Sequence, residues 1–181
     1  MPETDRAAWP PDPIRTRRLV LRPTEARDRN TIIDLFASPE VGTYVGGARP
    51  REELERTAPE VPGQRFGFFV IELDGSMIGL ITLDRRAAVH PGHVRPEANE
   101  TELGYMLLPH AWGRGYAAEA CTVVLAWVAT VRPGEPVVLC TQAANDPSRR
   151  LAAKLGFAEV DRFEEYGADQ WFGVWYPPVA A

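Results

Sequence analysis

Apolar and polar residues alternate along Ile14–Arg22 (IRTRRLVLR), where Leu19 and Leu21 mark one face of a half-buried strand closed by Pro23. From Ala26 to Ala37 the period lengthens. Ile32, Leu35 and Phe36 fall at helical spacing, Thr24 is available as a cap, and Pro39 stops the helix. A second short helix is predicted at Arg51–Thr57. Arg65–Leu73 (RFGFFVIEL) and Ser76–Leu83 (SMIGLITL) are apolar, β-rich runs joined by Asp74-Gly75, a dipeptide suited to the tight turn of a right-twisted hairpin. Arg85–Ala98 is a Pro/Gly/His loop, and Asn99–Leu108 is a further strand ended by Pro109.

From Gly115 the pattern becomes that of a long helix packed on a sheet. Ala117, Cys121, Val124, Leu125 and Val128 form its apolar stripe. Pro136–Thr141 reads as a short buried strand. Asp146 is expected to cap the next helix, with Pro147 in its first turn, Leu151 and Leu155 on one face and Gly156 at its end. Strands at Phe157–Glu164 and Gln170–Tyr176 close the chain. The sum is an α/β (α+β) fold with a mixed, mostly antiparallel sheet of six to seven strands and about four helices. Residues 1–13 read as a flexible leader and 14–178 as a single domain.

Composition narrows the function. The net charge is −5 and no Lys/Arg run exceeds two residues, which argues against nucleic-acid binding; Arg15, Arg17, Arg18 and Arg22 read as solvated arginines beside Leu19 and Leu21. Cys121 and Cys140 make neither a disulfide framework nor a metal-ligand spacing. There is no apolar run long enough to span a membrane and no signal-peptide pattern, so cytoplasmic residence is expected.

The most informative segment is His110–Ala120 (HAWGRGYAAEA), a short glycine turn between a strand and the long helix. The first amides of a helix lack intrahelical acceptors and carry the positive end of its dipole. Gly113 and Gly115 let the backbone curl so that several amides converge on one anion, Ala117 and Ala118 leave room above the first turn, and Arg114 adds a cation. A diphosphate fits this arrangement, although in isolation the segment also reads as an ordinary strand-to-helix turn. It has no Lys-Ser/Thr after the glycines, unlike a P-loop, and no third glycine in a βαβ unit, unlike a dinucleotide fold.

Three stretches, in order and suitably separated, supply the context: TRRLVLRP with SPEVGTYVGG; Glu102-Leu-Gly-Tyr105 with WGRGYAAEA; and Asn145-Asp-Pro-Ser148 with Lys154-Leu-Gly-Phe157. Together they resemble the GNAT acetyltransferase superfamily, in particular its ribosomal-protein N-terminal (Rim-type) branch, over about Ile14 to Tyr176. Trp112, where many superfamily members carry Gln or Arg, is similar to that branch. The resemblance implies acetyl-CoA as co-substrate. Its diphosphate would rest on Gly113, Arg114, Gly115, Tyr116, Ala117 and Ala118. Its pantetheine arm would pair with Met106, Leu107 and Leu108 and face Asn145.

Forming an amide from a thioester requires a neutral amine, a stabilised oxyanion and a proton for the leaving thiolate. Glu102, on the strand approaching the thioester, is the candidate base, with Glu100 two residues away as its rival. An amide near Leu107 is the candidate oxyanion donor. Many superfamily members supply the proton from a Tyr seven residues after the Asn, where this chain has Ala152; Ser148 is the replacement considered. His90 and His93, without a third ligand, are expected to be solvent-exposed rather than to hold a metal. Trp171–Tyr176, apolar on both faces, fits burial against a second copy in a homodimer. The acceptor is a primary amine, a protein N-terminus or a small molecule. The competing readings are a non-catalytic acyl-CoA-binding sensor or scaffold and, behind it, a nucleotide-binding protein.

Overall fold

The computed structural model describes residues 9–178. Its strands are β1 (Ile14–Arg15), β2 (Leu19–Arg22), β3 (Phe69–Leu73), β4 (Ser76–Arg85), β5 (Thr101–Leu107), β6 (Val137–Gln142), β7 (Ala158–Glu165) and β8 (Ala168–Trp175). The helices are α1 (Arg29–Ala37), α2 (Pro39–Gly42), α3 (Arg51–Thr57), α4 (Tyr116–Val131) and α5 (Asp146–Leu155), with 3-10 turns at Ala26–Asp28 and Pro109–Ala111. The strands are hydrogen-bonded in the order β1-β2-β3-β4-β5-β6-β8-β7, with β5 and β6 parallel. The mixed, mostly antiparallel sheet is as expected, with eight strands rather than six or seven and five α-helices rather than about four.

The additional strand arises because Ile14–Arg22 is not continuous. Thr16 donates its N–H to Leu19 O and accepts the Leu19 N–H on its hydroxyl, both at 2.9 Å, which folds the segment into a β1–β2 hairpin. The first helix also starts differently. Thr24 does not cap it; Glu25 and Asp28 form a reciprocal capping box around the 3-10 turn. The additional helix is α2, which Pro39 opens at its first position while Ser38 accepts the Val41 N–H. Asn145, not Asp146, caps α5, accepting the Ser148 N–H on Oδ1 at 3.2 Å. The Asp74-Gly75 turn is as predicted, with φ of +50° and +81° and Leu73 paired with Ser76.

The chain forms two compact units. Among the described residues, one comprises positions 9–82 together with Tyr105–Ala120; the other comprises Leu83–Gly104 and positions 121–178. The first is built on Ile32, Leu35, Phe68, Val70, Met77 and Leu80. Arg22, expected to be solvated, is buried there. Its guanidinium grips Asp28 through two hydrogen bonds of 2.7 and 2.9 Å and Glu72 at 2.6 Å. Trp9, in the stretch read as a leader, lies with its ring 5.0 Å from that of Phe69, whereas positions 1–8 of that stretch lie outside the described residues.

The second unit centres on Val138, Phe172 and Val174, with Val94, Cys140 and Phe163 packed against them. β8 lies between β6 and β7, so Trp171, Phe172 and Val174 are buried by the chain's own strands. The chain's own strands thus account for the apolar pattern of Trp171–Val174, while Tyr176 is exposed. Among the described residues no helix is long and apolar enough to cross a membrane.

Candidate active site

β5 is the strand on which the predicted chemistry depends. The Arg86 N–H bonds to Glu100 O at 2.9 Å and the Leu108 N–H to Ile78 O at 2.8 Å. Even-numbered peptide groups thus face the β4 side, and alternation turns those of Leu103 and Leu107 the other way. The parallel β5–β6 ladder has two rungs, Thr101↔Val137 and Glu102↔Val138, and Leu103–Leu107 continue β5 beyond its last rung. At the far end of β5 the Trp112 indole Nε1–H donates to Leu107 O at 2.9 Å. By the same alternation the Leu107 N–H lies on the edge away from β4.

β4 approaches this end of β5 closely at Gly79. A Cβ placed there would lie 2.4 Å from Met106 O and 2.9 Å from Leu107 Cγ, so only glycine fits. Gly79 carries no signal in the sequence beyond being a glycine inside a strand.

In the turn into α4, Gly113 and Gly115 have φ of +69° and +80°, the left-handed region glycine enters without strain. A Cβ at Gly113 would meet nothing within 4 Å, so the loop is open on that side. The Glu119 N–H bonds to Gly115 O at 3.1 Å; ahead of it, Gly115, Tyr116 and Ala117 have no carbonyl one turn back. Arg114 is exposed and its Nε–H reaches His110 O at 3.3 Å. Met106, Leu107, Leu108 and the residues from Gly113 to Ala118 therefore all belong to the first unit, as consecutive pieces of strand end, turn and helix start.

Glu102, Asn145 and Ser148 belong to the second unit. Glu102 keeps 26% of its side chain exposed and receives Arg86 Nη1 at 2.9 Å. Burial pushes its carboxyl above the ordinary range, and the buried Arg86 guanidinium works against that rise without cancelling it. Glu100 is committed elsewhere. It is fully buried, with Oε1 taking the amides of Val94 and Arg95 at 2.7 and 3.0 Å and Oε2 lying 2.8 Å from His93 Nδ1. Burial raises its carboxyl, but His93 and the amides outweigh it, leaving the group below its usual value. Glu100 thus braces the connection between β4 and β5.

The histidines are not simply solvated. His93 is mostly buried against Glu100 and the His90 carbonyl, and His90 Nδ1 lies 2.7 Å from Glu165. No cluster of three metal-ligating side chains occurs among the described residues. Ala152, where a Tyr acid would stand, is completely buried in α5.

Sequence patterning missed Arg86, which holds Glu102, because its partners are the carbonyls of Pro91 and Gly92 and carboxylates far along the chain. It also missed Arg18 and Glu119, which meet at the start of α4.

The family model described as acetyltransferase (GNAT) domain matches residues 18–158. The chain is a member of the GNAT family of N-acetyltransferases. It is 29% identical over 162 residues to the FsC-acetyl coenzyme A-N(2)-transacetylase of Aspergillus fumigatus, a match covering 83% of this chain and 66% of that enzyme. Its fold is similar to that of a GNAT-family acetyltransferase from Bacillus anthracis, with a TM-score of 0.74 at 20% identity over 91% of this chain and 98% of the other. It is also similar in fold to Mycobacterium smegmatis RimJ, solved in complex with CoA-disulfide, with a TM-score of 0.67 at 22% identity over 93% and 88% of the two chains.

Proposed function

We propose that residues 14–178 act as one acetyltransferase domain that moves the acetyl group of acetyl-CoA to a primary amine by direct attack within a ternary complex. The observation that carries this reading is the turn at Gly113 and Gly115, whose positive φ angles curl the backbone into the start of α4 and leave open space at Gly113. The names of the fungal transacetylase and of RimJ, the latter bound to CoA-disulfide, support the same donor. The diphosphate sits on Gly113, Arg114, Gly115, Tyr116, Ala117 and Ala118, and the pantetheine arm runs along Met106–Leu108. The part of Asn145 assigned to the arm is its amide NH2, since its Oδ1 is used in capping α5.

In the reaction the amine nitrogen attacks the thioester carbonyl. A C–N bond forms and the carbonyl electrons move to an oxyanion held by the Leu107 N–H. Glu102 accepts the amine proton, directly or through one water, and the C–S bond then breaks. The thiolate leaves with a proton relayed through the Ser148 hydroxyl, which takes one back from water as it gives its own, while Glu102 releases the amine proton to solvent. CoA thiolate is a good leaving group near neutral pH, so the absence of a Tyr at Ala152 costs about ten- to a hundredfold in rate. The acceptor is a protein N-terminus or a small-molecule amine, and the enzyme works in the cytoplasm without a metal, nucleic acid or membrane partner.

Calorimetry with CoA, followed by CoA release across a panel of amines, tests the proposal. Binding with turnover on at least one amine is expected, and Gly115→Val should abolish binding because valine is strained at φ near +80° and would press on Arg18. Binding without turnover on any amine would turn the reading into a sensor or scaffold. No association with CoA would end it.

A further inference from the structure

The carboxylate of Glu119 lies in the first turn of α4, close to where a doubly charged diphosphate is proposed to rest, and left alone it would repel that ligand. It is not left alone. The β1–β2 turn, about a hundred residues away in sequence, brings three donors to it. Thr16 Oγ1 donates to Glu119 Oε1 at 2.6 Å, the Arg18 N–H to the same oxygen at 2.9 Å, and Arg18 Nε to Oε2 at 2.7 Å. The guanidinium then continues to the loop itself. Arg18 Nη1 donates to Arg114 O at 2.9 Å, its Cζ lies 4.5 Å over the Tyr116 ring, and Nη2 stands 3.3 Å from where a Gly115 Cβ would be.

The hydrogen bond to Arg114 O has a directional consequence. The Arg114 carbonyl and the Gly115 N–H belong to one planar trans peptide and point in opposite directions. Holding the carbonyl on Arg18 therefore aims the Gly115 N–H away from Arg18. We propose that Arg18, seated by Thr16 and Glu119, is a positioning residue for the diphosphate of CoA. It fixes the Arg114–Gly115 peptide so that the Gly115 amide faces the ligand, and it neutralises the carboxylate in the first turn of the helix. The inference rests on the reading of this turn as the CoA cradle.

The experiment compares wild type, Arg18→Ala, Arg18→Lys, Glu119→Gln and Arg18→Ala/Glu119→Gln. It measures CoA affinity by calorimetry, and KM values for acetyl-CoA and for S-acetyl-pantetheine, which lacks the diphosphate. Arg18→Ala is expected to weaken CoA about tenfold, the low end of the scale for losing a hydrogen bond made by a charged group. Arg18→Lys keeps the charge but loses the two-pronged grip, and is expected to weaken CoA by several-fold. KM for S-acetyl-pantetheine should not move in either variant. Removing the stranded carboxylate in the double variant should restore part of the affinity lost in Arg18→Ala, which a purely structural role for the pair would not produce.

Should Arg18→Ala fail to fold, Arg18→Lys carries the comparison, with melting temperatures measured alongside. CoA affinity unchanged in Arg18→Lys, or equal losses for CoA and S-acetyl-pantetheine, would overturn the inference while leaving the proposed activity standing. Failure of wild type to bind CoA would instead remove the reading beneath it.

Discussion

Replacing Gly79 with alanine tests how tightly the end of β5 is fixed. The added methyl would sit 2.4 Å from Met106 O and 2.9 Å from Leu107 Cγ. A carbon approaches a carbonyl oxygen to about 3.3 Å, so one strand must retreat by about 1 Å. Both neighbours are hard to displace: Met106 O is backbone, and the next residue in β5 already has its carbonyl tied to Trp112. Overpacking of this kind destabilises by about 1–3 kcal/mol. A middle value of about 2 kcal/mol lowers the melting temperature of a chain this size by about 4–8 °C. The same displacement moves the Leu107 N–H proposed to hold the oxyanion, and a misplacement of about 1 Å is expected to lower turnover by about a hundredfold. Thermal unfolding by circular dichroism and steady-state CoA release measure the two effects. A Gly79→Ala protein that melts and turns over like wild type would show that β5 is free to move, and the argument from close approach would fail.

Glu102→Gln should reduce kcat/KM by about a hundredfold or more. In wild type, kcat/KM should fall as pH drops through the carboxyl's raised value, because the base must be ionised to accept a proton. The Gln variant should lose that acid limb, and a variant that retained both rate and limb would place the base elsewhere. At Asp28, burial raises the carboxyl, but the Arg22 hydrogen bonds and the Glu25 N–H outweigh it, so its folded value is depressed. The stabilisation is therefore present above the unfolded value and is lost as pH falls below about 4. Asp28→Ala leaves the buried Arg22 with Glu72 at 2.6 Å and the more exposed Glu25 at 3.8 Å, and should cost about 3 kcal/mol in urea unfolding at neutral pH. The gap from wild type should narrow in acid; a gap independent of pH would mean the loss is one of packing rather than charge.

How much was legible in the sequence follows from the range of the forces. The β3–β4 hairpin, α3 and the stripe of α4 rest on neighbours two to four positions apart, and patterning found them. The break at Thr16 depends on a hydroxyl whose carboxylate partner, Glu119, is 103 residues away, so alternation across Ile14–Arg22 concealed it. Arg22 looked solvated for the same reason: Asp28 and Glu72 bury it only after folding. Asn145 and Asp146 are both good caps, and only backbone geometry chooses between them. Glu100 and Glu102 are alike in spacing. They part when the connection between β4 and β5 folds its own amides and His93 onto one of them.

The cap of α5 has a bearing on how substitutions there are to be read. One end of the Asn145 amide anchors the helix that carries Ser148, while the other end is the part proposed to meet the pantetheine arm. Alanine at this position would sever both at once and leave stability and binding entangled. Aspartate preserves the anchoring oxygen and removes only the NH2, so a chemically modest exchange isolates recognition where a drastic one cannot.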